Sequence, residues 1–141
     1  MTIQQSPLLR AGLGNAYKNT IGVSPTLNIY DNSAGLPGDT STSPPGVLLA
    51  TITLPSTWLA INSGVAGEFD IAGTWSGTAI ASGIAGYYRL NCATGDNAGA
   101  VMEQGTCGMT GTSSDMIMDN TNIATGQTVT VAAFTRVFGF E

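Results

Sequence analysis

The sequence predicts an all-β protein, a β-sandwich or jelly-roll-like barrel with a short N-terminal helix or arm, and three observations lead there. Short runs of β-branched and aromatic residues recur roughly every 8–15 residues, the spacing of strands in sandwiches and barrels. Glycine supplies 19 of the 141 residues and falls mostly between those runs. Solubility rests on 19 Thr, 11 Ser, 9 Asn and 4 Gln, against only 4 basic and 9 acidic residues. Charged residues make up 9% of the chain, where an ordinary globular protein has about 25%. Disorder is excluded, because disordered chains are highly charged and this one is 43% hydrophobic. The length fits one domain, expected over residues 23–141 behind an arm of residues 1–22.

The arm comes first. Ser6 followed by Pro7 gives a capping hydroxyl and then proline at the first helical position. Leu9, Leu13 and Tyr17 recur at four-residue intervals, with Leu8 and Ile21 close to the same stripe. A helix over 7–20 follows, weakened by Gly12 and Gly14 and ended by Gly22. Being marginal alone, it must bury that stripe on the sheet or on another subunit.

Strands follow. Thr26–Tyr30 alternates, with Leu27 and Ile29 on one face, and 31–46 is a Pro/Gly loop. Val47–Leu54 is apolar along most of its length, as a central strand is, and Pro55 stops it. Glu68–Trp75 comes next, then a hairpin of Gly86–Cys92 with Gly99–Gln104 around Thr94-Gly95-Asp96-Asn97. Thr106–Thr110, Met116–Asp119, Thr128–Ala133 and Thr135–Phe140 complete the series. The expected core is Leu27, Ile29, Leu49, Ile52, Leu54, Phe69, Ile71, Trp75, Leu90, Val129, Val131 and Phe134.

The chemistry is narrow. A net charge of −5 and four scattered cations argue against a nucleic-acid surface. No apolar run reaches the roughly 20 residues of a membrane span, and Met1–Gln5 has no basic region leading into an apolar core, so no secretory signal is expected. The absence of histidine removes the commonest general base and metal ligand. Glu68, Asp70, Asp115 and Asp119 are the candidates for a carboxylate pair. Along a strand, however, Asp115 and Asp119 lie roughly 13 Å apart, beyond glycosidase spacings. They read as solvated turn and edge acids. The Asp115 to Asn122 segment lacks the alternating acids and glycine of a calcium loop. Cys92 and Cys107 have no CxxC spacing and read as buried free thiols. No catalytic residue, cofactor or metal is expected.

Interface candidates remain: Leu9, Leu13 and Tyr17 on the helix, Trp58 after Pro55, and Met116 and Met118 within a cluster that includes Met102 and Met109. For Trp58 the competing expectation is a helical turn against the core, and for the methionines it is core filling.

Several strings resemble small virion proteins of tailed phages. These are Thr20-Ile21-Gly22-Val23-Ser24-Pro25-Thr26-Leu27, the run from Gly46 to Pro55, Gly73-Thr74-Trp75, and Ala85-Gly86-Tyr87-Tyr88-Arg89-Leu90. Asp115 to Ala124, Gly126 to Val131, and Phe134 continue the likeness to the C-terminal strands. The resemblance implies a capsid decoration (cement) or minor capsid protein, made in the host cytoplasm and carried on the outer capsid surface of the virion. Its implied partners are the major capsid protein and further copies of itself in a homotrimer. A tail, fibre or baseplate component is the alternative. A carbohydrate-binding module is the third reading, with Trp58, Trp75 and the Tyr87-Tyr88 pair as stacking platforms.

Overall fold

The computed structural model describes residues 2–140. It is all-β with one helix, α1 (Pro7–Ile21). The helix starts where a capping hydroxyl dictates: Ser6 Oγ accepts from Leu9 N–H at 3.2 Å, and Pro7 occupies the first turn. Gly22, at φ +93°, ends it and returns its N–H to the Lys18 carbonyl.

Ten strands follow: β1 (Thr26–Asp31), β2 (Leu48–Thr53), β3 (Leu59–Ile61), β4 (Glu68–Ile71), β5 (Ser76–Thr78), β6 (Gly83–Asn91), β7 (Val101–Gly108), β8 (Met116–Met118), β9 (Asn122–Ile123) and β10 (Thr128–Val137). Neighbours run in the order β2-β1-β6-β7-β8-β10-β4-β3, with β5 also on β10 and β9 on β6. All pairs are antiparallel except β7 with β8. β8 borders β10 on one side, while β5 and then β4 share the other as one strand broken at residues 72–75. Register slips in β1, β6 and β10 bend the sheet, because each extra residue adds local twist. The curl brings β2 round to the end of β5, where Ala50 bridges Ala79 and Ile80 N–H donates to the Leu49 carbonyl at 2.8 Å. The result is barrel-like.

The interior holds eleven of the twelve expected core residues, with Ile71 half-buried. Trp58 joins them fully buried, its ring 6.1 Å from that of Trp75. Trp58 donates to the Gly22 carbonyl (2.9 Å) and Trp75 to those of Trp58 (3.2 Å) and Ala72 (3.1 Å), so neither indole N–H is stranded. This corrects the placement of Trp58 in a contact patch. Its segment forms no helical turn: Trp58 and Leu59 point inward where the short strand β3 begins, while Ser56, Thr57, Ala60 and Ile61 stay exposed. Met116 and Met118 are likewise sealed inside β8, which withdraws them as partner contacts. Core filling, the competing reading, describes them.

The loop over 32–47 is long but fastened. Asp31 Oδ1 accepts from the N–H groups of Ser33 and Val47 and from the Ser33 hydroxyl, drawing the loop's two ends together. Farther out, the buried Arg89 donates to the Asp39 and Thr42 carbonyls, Gln104 to Pro37 and Tyr87 to Pro45. The loop is therefore laid against the outer face of β6 and β7.

Candidate interaction surface

Helix α1 docks on a different face from the one its leucines mark. Arg10, Gly14 and Ile21 are buried and Tyr17 is half-buried, whereas Leu8, Leu9 and Leu13 are 85%, 51% and 40% exposed. The Leu9/Leu13/Tyr17 stripe is thus split: Tyr17 turns inward and both leucines face out, which excludes burial of the leucines on this chain's own sheet. The cause is in the inner face. Gly14 lies against the Phe69 ring, which occupies the space a Cβ would need. A leucine stripe could not come that close.

The helix's cations point inward as well. Arg10 Nε donates to the Phe138 carbonyl at 2.8 Å and Lys18 Nζ to that of Leu59 at 3.3 Å. Gln5 makes two further bonds to Phe140, its N–H to the carbonyl and its Oε1 from the N–H, each at 3.0 Å. These bonds fix the helix to both the start of β3 and the end of the chain. The solvent side is left without a charge: Leu8, Leu9, Gly12, Leu13, Asn15, Ala16, Asn19 and Thr20.

Beneath the helix, one carboxylate ties three elements together. Glu103 on β7 accepts from Tyr17 (2.7 Å), from Tyr88 on β6 (2.7 Å) and from Arg136 on β10, whose Nε lies 3.1 Å away. Arg136 also donates to the Tyr88 hydroxyl and lies over the Phe134 ring, 3.9 Å from its centroid. Burial works against ionising Glu103, but the hydrogen bonds and charge of Arg136, with help from both phenols, outweigh it and hold the carboxyl below its usual range. Burial and the neighbouring carboxylate push both phenols well above theirs. Such a cluster holds a helix in place and keeps its protons.

An apolar cleft of about 280 Å³ opens between the helix and β7, lined by Ala16, Tyr17, Thr20, Ile21 and Met102. It adjoins the exposed leucine side. A more polar cleft of about 290 Å³ lies at the other flank of the helix's C-terminal end, among Lys18, Asn19, Gly22, Val23 and residues 56–58.

Of the remaining candidates, Glu68, Asp70 and Asp115 have structural partners. Asn62 donates to both Glu68 (2.6 Å) and Asp70 (3.0 Å), and Thr135 donates to Asp70 (2.8 Å). Asp115 accepts from the N–H and hydroxyl of Thr106, fastening the approach to β8 onto β7. Asp119 is exposed beyond β8. Among the described residues no three of His, Cys, Asp and Glu gather where they could hold a metal ion. Cys92 and Cys107 are buried free thiols, and burial, with the nearby Asp115, pushes the Cys107 thiol up to about 12. Trp58, Trp75, Tyr87 and Tyr88 are all fully buried, which removes the stacking platforms of the carbohydrate reading.

Sequence reasoning missed Arg10, Gly14 and Glu103. Each departs from apolar periodicity; for Arg10 and Gly14 the signal that could have exposed them is a second stripe of 4-3-4 spacing, Arg10, Gly14, Tyr17 and Ile21, whereas nothing local marks Glu103 on β7. No protein-family model matches the chain, and no curated protein and no solved structure matches it either.

Proposed function

We propose that this chain is a structural protein of a tailed-phage virion, a decoration subunit that binds the outer face of the shell and works by assembly. One observation carries the assembly part. A helix held by its cations and a glycine displays three leucines and no charge to solvent, an arrangement that gains free energy only when something covers it. Exposed apolar side chains contribute roughly 25 cal/mol per Å² once removed from water. The fastened loop over 32–47 and the Glu103 cluster add rigidity, which lowers the entropic cost of docking. The virion part rests on the resemblance of the strand strings to small phage virion proteins, and the acidic balance agrees with a position away from DNA. A ligand that binds only the assembled shell stabilises it by mass action.

The test is copy number. Quantitative mass spectrometry of purified particles is expected to find hundreds of copies, and particles lacking the protein to release DNA at a lower temperature. Tens of copies or fewer would move the protein to the tail, and none would end the virion reading.

A further inference from the structure

Deepening the assembly reading, on which it rests, and in place of the three-fold association that the resemblance implies, we propose that the outward face of α1 binds a second copy of this chain, the two helices packing antiparallel about a two-fold axis. The spacing identifies the kind of partner. Leu9, Leu13, Ala16 and Thr20 follow one another at intervals of four, three and four residues, the seam by which one helix packs along another. A second copy carries the same seam and so offers a matching surface.

Charge favours the same partner. Each copy carries a net charge of −5, and two such molecules repel wherever carboxylates meet. The outermost side of α1 bears no charge, because Arg10 is buried beneath the helix and the half-buried Lys18 reaches from its flank to the Leu59 carbonyl. On this face two acidic copies meet without opposing carboxylates.

The shape sets the direction. The N-terminal half of the seam protrudes, with Leu8, Leu9 and Leu13 exposed, while the C-terminal half is small and borders the cleft formed with Met102. In an antiparallel pair Leu9 of one copy meets Thr20 and the cleft of the other, Leu13 meets Ala16, and the same contacts recur in reverse. That is the self-complementarity a two-fold interface requires. A parallel pair would set leucine on leucine and leave both clefts unfilled. Gly12 has nothing within 4 Å of the position a Cβ would take, so the backbones can approach there. The antiparallel arrangement also sets opposite helix dipole ends side by side.

Two single-cysteine variants, Leu9→Cys and Thr20→Cys, test this in the full-length protein. In an antiparallel pair these positions face each other across the interface, whereas identical positions are separated by roughly 16 Å along the axis at 1.5 Å per residue. Mild oxidation of an equimolar mixture should give a disulfide-linked dimer joining the two variants, several-fold above the yield from either variant alone. Wild-type protein, whose own cysteines are buried, is the background. Cross-linking by each variant alone at the yield of the mixture would overturn the proposal, as would absence of any linked dimer. Light scattering on wild-type protein should give twice the monomer mass; a trimer or a monomer at high concentration would also overturn it. Copy number on particles reads the virion assignment separately, so a two-fold pair in a protein absent from virions would keep this proposal and end that one.

Discussion

Three hydroxyl and guanidinium donors from separate elements converge on the carboxylate of Glu103, and its partner Arg136 has lost most of its water. Replacing one member therefore leaves the other partly buried and unpaired. Glu103→Gln is expected to cost about 1.5–3 kcal/mol, the range for losing hydrogen bonds to a charged group, read as a lowered denaturation midpoint. The pH dependence has a definite sign. Because the folded carboxyl is held below its unfolded range, its contribution is fully present above an ordinary glutamate value of about 4.3 and lost as pH falls through the lower folded value. The wild-type melting temperature should thus fall more steeply below that range than that of Glu103→Gln. Parallel acid profiles would show that the cluster contributes nothing. None of this was legible in the sequence. Tyr17, Tyr88, Glu103 and Arg136 are far apart along the chain, and only the curl of the sheet brings them together. Trp75, by contrast, was legible as core, since a large indole in a strand pattern is worth burying wherever its N–H finds a carbonyl.

For α1, the cap and boundaries follow from local chemistry, and Ser6, Pro7 and Gly22 mark them within a residue or so. Which face docks does not follow from periodicity, because apolar spacing says where leucines lie and not which surface can come closest. Two glycines separate the alternatives. Gly12 is on the open side and Gly14 is pressed on Phe69. Gly12→Ala should stabilise the monomeric fold by about 0.5–1 kcal/mol, the helix preference of alanine over glycine. Gly14→Ala should instead destabilise it by about 1–3 kcal/mol through overpacking, as denaturant titration would show. Equal effects would mean that the helix is docked on another face. The 32–47 loop makes the same point. Its prolines and glycines announce a loop, yet not its anchors, which come from Arg89 and Gln104 on strands far along the chain. Arg89→Met should raise thermolysin cleavage within 37–45 while leaving the β-sheet circular dichroism unchanged; unchanged cleavage would show that the anchor is dispensable.

Across the whole molecule, the β class and most of the core were readable because alternation and turn glycines are local signals. The topology was not. Expected strands at 99–104 and 106–110 are one, β7, and those at 128–133 and 135–140 are largely one, β10. Both β7 and β10 borrow different neighbours along their length, which a local pattern cannot reveal. Glu68–Trp75 is shorter than expected: β4 ends at Ile71, because the bend at Gly73, φ +70°, turns the backbone away before β5 begins at Ser76. The short β3, β5 and β9 lie outside every expected strand, having two or three residues each and no alternation to display. What the assembled fold adds is a surface: a curled, barrel-like sheet with the uncharged outer side of a helix facing out. If that side is where the molecule associates, its leucines are needed for assembly and not for folding. Sedimentation velocity over a concentration series, comparing wild type with Leu9→Gln/Leu13→Gln, puts this directly. Wild-type protein should sediment as an oligomer, and the variant as a monomer with an unchanged circular dichroism spectrum. Identical oligomers from both proteins would show that these leucines take no part in association.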